Sequence, residues 1–547
     1  MSLQVVWFKR DLRTADHEAL YRACATGPTL CLYVIEPAYW QQDSTSNRQW
    51  LFVREALADL DAQLRALDGA LVVQQGDAVD ALESIRKAYC SFVLHSHIET
   101  GIGWTFERDK AVARWCRKHE VQWYEYVQNG VCRPISSRQT GFKQHWDRWV
   151  QALKYPRPVN ATFVGRAPDS LRVSSLSPHA WPGTVRENVY PCPGRQTGGR
   201  SAGLDVFKSF LLERGEVYRG SISSPLTAES ACSRLSPYLA YGCLGLREVV
   251  QRTILAQRDA TTRWSKSLAA FMTRLHWHCY WIQAFEAASQ MEHEPLVEQM
   301  ALLRRPLNKE RFDAWRMGRT GWPMVDACMR FLHHQGWINF RMRAMLVCAA
   351  THSLELPWQP VSHWMAQMFV DFEPGIHYPQ VQLQSAMSGG SVLRMYNPVI
   401  QASRLDPQGE FVRRWVPELA HVSQFWIFEP WKMTPNLREA AGWAQEKSYP
   451  EPLVDFAQTH RATKQAITEI RSAHQLVPVR RFHERTARVH EPSRREQLSP
   501  SQAQAPQNVS TQTLSDRPGA TTARVSRTRR SQPKATKVDM SIQPTLF

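Results

Sequence analysis

Short apolar runs separated by amphipathic stretches organise the first quarter of this chain. Leu3–Phe8, Thr29–Ile35, Ala70–Gln74, Phe92–His95 and Val121–Tyr126 are brief and rich in β-branched and aromatic side chains, the mark of strands buried on both faces. Between the second and third runs, Phe52, Leu57, Leu60, Leu64 and Leu67 recur at helical spacing. Strands alternating with helices in this way predict a parallel α/β sheet covered by helices, over residues 1–135.

The pattern then changes twice. From about Lys154 to Arg200, Pro, Ser and Gly rise and periodicity fades, so 136–203 reads as an interdomain linker. Residues 204–476 are helically patterned almost throughout, which predicts an all-α second domain. Beyond 477 aromatics thin out and Ser, Gln, Thr, Pro and Arg take over. Such a composition buries too little apolar surface to offset ordering entropy, so 477–547 is expected to be a disordered basic tail. No internal repeat is evident.

A length of 547 residues exceeds one hydrophobic core, which agrees with two domains and a tail. The 21 Trp mean that buried aromatics carry much of the packing. A net charge of +17 favours a polyanionic partner, nucleic acid above all, because each neutralised phosphate releases a counterion. About half of that excess falls after Arg480, so a basic tail on a near-neutral body is the plainer account of the same number. Eleven Cys, odd in number and without a C-x-x-C pair, argue against a disulfide framework or a zinc site and suit a reducing cytoplasm. Nothing resembles an export signal or a membrane span, and no Gly-x-Gly-x-x-Gly follows the first strand.

Three groups of residues carry candidate chemistry. Ser233-Arg234-Leu235-Ser236 offers hydroxyls and free amides where a helix opens, an anion site or an ordinary helix cap. Arg274, Trp277, His278 and Trp281 fall at i, i+3, i+4 and i+7, so they share one helix side, either a stacking face or a core stripe. Arg343 and Asp371 carry opposite charges that would compensate one another if buried together, as a structural bridge between helices or as part of a site.

These groups lie within longer signatures. Val6-Trp7-Phe8-Lys9-Arg10-Asp11-Leu12-Arg13, then Ser233 through Leu239, then Gly321-Trp322-Pro323-Met324-Val325-Asp326-Ala327-Cys328-Met329-Arg330, Gly336-Trp337, Arg341-Met342-Arg343, Asp371 and Glu373 follow one another along the chain. In order and spacing they resemble the photolyase/cryptochrome family, over roughly residues 1 to 475. The resemblance implies a blue-light flavoprotein with FAD in the helical domain. Two activities then stand open. One is a DNA photolyase that splits UV-induced pyrimidine dimers by electron transfer from reduced flavin; the other is a cryptochrome-like photoreceptor without repair.

By the same resemblance, Tyr218, Cys232, Ser233, Arg234, Leu235 and Ser236 hold the flavin diphosphate, with Cys232 where the family commonly has Thr. Trp337 and the Arg343–Asp371 pair belong beside the flavin ring, with Glu373 near its pyrimidine side. His377 corresponds to the side chain that faces flavin N5, where an imidazole exchanges a proton near neutral pH; an ordinary loop histidine is the alternative. Trp277 matches the tryptophan that stacks on a flipped lesion and Arg341 an arginine near the DNA backbone. Arg274 and Phe340 replace a Glu and an Asn of cyclobutane-dimer enzymes, so the lesion type stays open. Of the family's three relay tryptophans only the middle one has a counterpart, Trp358. Val381 takes the inner place and the outer one falls near Arg305 or Pro306, leaving Trp364, Tyr378 or Trp337 as substitutes. An antenna, folate or deazaflavin, would sit in the α/β domain. No iron–sulfur cluster or other metal is expected, since no Cys follows Cys348. Gln543-Pro544-Thr545-Leu546-Phe547 resembles the peptides by which bacterial repair proteins dock to the sliding clamp. The expected molecule is a cytoplasmic, nucleoid-associated bacterial monomer acting on UV-damaged DNA.

Overall fold

The computed structural model describes residues 2–133, 142–171, 173, 176, 182, 191–389, 393, 395–442 and 449–476. The tail from 477, with Gln543–Phe547, lies outside them.

Five strands form a single parallel sheet: β1 (Leu3–Phe8), β2 (Thr29–Ile35), β3 (Leu71–Gln75), β4 (Phe92–His97) and β5 (Trp123–Tyr126), in the order β3-β2-β1-β4-β5. Val6 lies opposite Cys31 on one side and His95 on the other. Every residue of β1 and β2 is buried, which is why these strands read as unbroken apolar runs. Alternate side chains serve different layers. Val5, Trp7, Leu30, Leu32 and Leu94 pack with Leu82, Ile85 and Val112 of the helices Ala78–Tyr89 and Gly103–Lys118. Val6, Phe8, Cys31 and Tyr33 face Leu57 and Leu60 of helix Asn47–Arg65 and, beyond it, Tyr238 and Tyr241 of the second domain. A capping box, Ser46 with Gln49, starts the Asn47–Arg65 helix.

After β3 the chain returns to the far side of β1, so strand order reverses between β1 and β4. The carboxyl ends of those strands open a crevice there. Lys9, Arg10 and Asp11 leave β1 at this point, and His97 ends β4. Asp11 Oδ2 lies 3.0 Å from His17 Nε2 and 2.7 Å from His97 Nδ1. His17 Nδ1 accepts the Leu20 amide and Asp11 Oδ1 accepts the Lys9 amide, so hydrogen bonds occupy this buried trio and make it a structural knot.

The expected linker contains structure. Helix Phe142–Gln151 buries Trp146 and Val150 in the core shared by the sheet and the second domain. Farther on, Phe163 bridges to Thr29, and Leu171 to Val73. From Arg200 to Ala473 the described residues are mostly helical, around a core that takes in Trp281, Trp315, Trp322, Trp358 and Trp364. Side chains of the first domain reach backbone of the second: Arg48 donates to the carbonyls of Leu332 and Met368, and Gln49 to those of Ala366 and Phe369. All eleven cysteines are free thiols, and among the described residues no helix is long and apolar enough to cross a membrane.

Candidate active site

Four segments of the helical domain surround one cavity. It encloses about 170 Å³ between side chains and about 1020 Å³ once its opening to solvent is counted. Tyr218 and the loop Cys232, Ser233, Arg234, Leu235, Ser236 form one wall. Arg274 enters from helix Thr262–Glu286, Trp337 from the turn after helix Pro323–Gln335, and Phe340 and Arg343 from helix Phe340–Cys348. Asp371, Glu373 and His377 close it from the start of helix Pro374–Gln384. Thirteen residues singled out from sequence thus meet in one place.

The loop at 232–236 is built for close approach. Arg234 sits at φ +58, in the left-handed region, and its guanidinium lies 4.1 Å over the Trp337 ring while Nε donates to Gln196 Oε1. Burial pushes the Cys232 thiol up to about 12, so it is a neutral wall group. Arg343 Nη2 donates to Asp371 Oδ2 at 2.7 Å, its Nε to the Ile338 carbonyl, and its plane lies 4.0 Å over Phe369. Asp371 Oδ1 is buried and finds no hydrogen-bond partner among the described residues. Glu373 stands 3.5 Å from Arg10, which also donates to the Ala240 and Phe372 carbonyls. Burial raises the Glu373 carboxyl to about 7, against the pull of Arg10.

His377 lines the cavity. It is buried, and Nε2 lies 3.0 Å from the Ser362 carbonyl and 3.1 Å from its hydroxyl. A nitrogen facing a carbonyl carries the proton. Burial holds the ring's pKa down to about 3, so the imidazole is neutral near pH 7.

Trp277 and Arg341 are half-buried and stand outside the cavity lining. They connect to it through stacked contacts: the Arg274 guanidinium lies 4.4 Å over Trp277 and 4.7 Å over Phe340, and Arg341 lies 5.7 Å over Phe340. Trp281 does not share this face. It is wholly buried in the core, since i+7 on a 25-residue helix brings it under a different neighbour. Trp358 is buried too and lines a separate cavity. Of the relay substitutes, Trp337 lines the main cavity, and Tyr378 lies 6.1 Å from Phe372 and 5.3 Å from His377. Trp364 packs instead on His333.

Residues beyond the sequence expectation complete the walls. Phe271, Leu275, Ile338, Phe369, Phe372 and Ile376 give flat apolar surface. His278, which helix spacing already grouped with Arg274 and which burial holds down to about 4, also lines the main cavity and a second, smaller one, which it shares with Arg10 and Glu373. Arg10 lay inside the N-terminal signature, yet only the tertiary fold brings it to Glu373. Three guanidiniums, of Arg234, Arg274 and Arg343, meet the side chains of Asp371 and Glu373, the second raised by burial to about 7. A flat-walled cavity with excess positive charge suits a cofactor having an aromatic ring system and a diphosphate, and FAD is such a group.

Comparison with known proteins agrees. The model for the FAD binding domain of DNA photolyase matches residues 271–469, and the DNA photolyase model matches 4–159. Cryptochrome-2 of Arabidopsis thaliana is 26% identical across 86% of this chain and 80% of its own length. The deoxyribodipyrimidine photo-lyase of Vibrio cholerae is 27% identical across 84% of this chain and 98% of its own. In fold, a bacterial class III photolyase from Agrobacterium tumefaciens superposes with a TM-score of 0.75 at 22% identity, covering 86% of this chain and 98% of that one. With both domain models matched in order and the cavity walls from Phe271 to His377 inside the FAD-binding match, the chain belongs to the photolyase/cryptochrome family.

Proposed function

We propose that the protein is a light-driven DNA photolyase that holds FAD in the main cavity and splits UV-induced pyrimidine dimers. The observation that supports this most is the run Trp277, Arg274, Phe340, Arg341, in which rings and cations alternate, with Arg274 and Phe340 in the cavity wall and Trp277 and Arg341 flanking it. Aromatic rings bind extruded bases at about 1–3 kcal/mol each, and guanidiniums answer the phosphates that flank them. Arg234 and Arg274 supply positive charge for a diphosphate, while the Asp371 carboxylate fixes the Arg343 guanidinium so that its charge neither drifts nor needs water. Neutral His377, its proton pinned on Nε2 by Ser362, keeps a further cation out of the cavity. Bound FAD in its reduced form would supply the photoexcited electron. These side chains orient it, exclude water and present the lesion.

A photoreceptor without repair is the competing reading, favoured by the similar identity to a plant cryptochrome and by Arg274 at the lesion face. One assay separates them. Chemically reduced protein is mixed with an oligonucleotide bearing a single cyclobutane dimer or a single (6-4) photoproduct and illuminated with blue light. Light-dependent loss of either lesion is expected. A flavin-loaded, photoactive protein that repairs neither would overturn the proposal and leave the photoreceptor.

A further inference from the structure

A third cavity, of about 250 Å³, shares no residue with the main one. It lies among Arg304 and Arg305, Thr351, the Leu356–Gln359 turn and Ser385. Its chemistry is unbalanced. Arg305 Nη2 donates to Thr463 Oγ1 at 2.7 Å, but Nη1 is buried and has no hydrogen-bond partner among the described residues. Glu355, the carboxylate whose charge reaches it, is ion-paired with Arg311 at 3.1 Å. Burial accordingly draws the guanidinium down to about 10. Thr463 in turn donates to the carbonyl of His352, a buried imidazole held neutral by burial and by Arg305. A desolvated cation with an unanswered N–H calls for an anion.

The rest of the lining asks for something else. Buried Trp358 presents an aromatic wall, and Pro295, Leu303, Pro357 and Met387 are apolar. An apolar cavity of about 150 Å³ takes up benzene, so this one has room for a substituted ring. We propose that this cavity binds a small aromatic carboxylate, with the carboxylate on Arg305 and the ring against Trp358. A phenolic acid also has a use here, one that rests on the flavin reading above. Should photoexcited oxidised flavin draw an electron from Trp358, the Trp358 radical left behind would take one electron from the phenol, the phenolic proton would pass to water, and a phenoxyl radical would remain, with the flavin reduced by that one electron. The acid would act as the electron donor at the end of the chain that lacks an outer tryptophan.

The test begins with calorimetry on the flavin-loaded full chain, titrated with 4-hydroxybenzoate, 4-hydroxybenzamide and inorganic phosphate. The acid is expected to bind once per chain, at least about tenfold more tightly than the amide or phosphate. Arg305→Gln should erase that preference and Arg305→Lys restore part of it. Leu303→Trp, which fills the cavity, should abolish binding; flavin content and the unfolding midpoint check that this variant is folded. Equal affinity for acid and amide would overturn the proposal, as would phosphate binding as well as the acid, undiminished binding to Leu303→Trp, or no binding at all. Flavin photoreduction with 4-hydroxybenzoate against benzoate then tests the donor role. Failure of photoreduction with every donor would count against the flavin reading, while calorimetry decides the site independently.

Discussion

Replacing Glu373 by Gln isolates one carboxyl at the junction of the two domains. Glu373 leaves only 11% of its side chain exposed, and burial raises it from 4.5 to about 7 despite Arg10 at 3.5 Å. Between those values the folded protein keeps the proton and the unfolded chain has lost it. Stability therefore falls as pH rises through that window, and the loss is complete above pH 7. At about 1.4 kcal/mol per pH unit, the cost is about 3 kcal/mol. Glutamine does not ionise, so the unfolding free energy of Glu373→Gln minus that of the parent should climb by about 3 kcal/mol between pH 4.5 and 8. Arg10 keeps its bonds to the Ala240 and Phe372 carbonyls in the variant, which limits the collateral change. Glu36, also raised to about 7 by burial, titrates in the same window but cancels in the difference. The assay is urea unfolding of flavin-free protein at half-unit pH steps, followed by circular dichroism. A difference that stays flat or falls with pH would refute the reasoning, because Glu373 would then be an ordinary ionised partner of Arg10.

Asp371→Asn leaves Arg343 buried without its counter-charge and is expected to cost about 3–5 kcal/mol, with loss of bound flavin, read as the unfolding midpoint and the flavin absorbance of purified protein. Trp277→Ala should weaken binding to lesion-bearing DNA by about 1–3 kcal/mol, whereas Arg341→Gln should weaken damaged and undamaged DNA alike and lower the salt slope by about 1; gel shifts across a salt series measure both. Asp11→Asn removes the carboxylate that His17 and His97 share, and should cost about 3 kcal/mol or more in denaturant unfolding at pH 7. Burial works to raise Asp11, but the two histidines outweigh it and hold it well below the usual range. This contribution should accordingly persist at pH 5.

The strands were legible because both faces of β1 and β2 are covered, so nothing interrupts their apolar runs. At the sheet edge the signal weakened: Val121–Tyr126 was expected, and β5 begins at Trp123 with its two middle residues exposed. Helix Phe142–Gln151 was overlooked because it buries only Trp146 and Val150, too few positions to set a period. Within the site, Arg343 and Asp371 came from a family resemblance, and the 2.7 Å contact supplies the physical reason for pairing them. Spacing alone misplaced Trp281, since one helix side meets the cavity at Arg274 and the core seven residues later. The state of His377 was beyond sequence altogether, because it is set by Ser362 on a neighbouring helix and by the depth of burial.

Arg10, Arg48 and Gln49 have a bearing on how the molecule is made. They are synthesised well before several of their hydrogen-bond acceptors, which lie among residues 332–372. Arg10 and Phe372 are separated by 362 positions, which at about 5–20 residues per second is roughly 20–70 s of synthesis. Throughout that interval the face of the nascent first domain that will meet the second displays polar groups still bonded to water. The cofactor site cannot close until most of the polypeptide exists, because the stretch from Phe369 to His377 is the last part of its lining to be made.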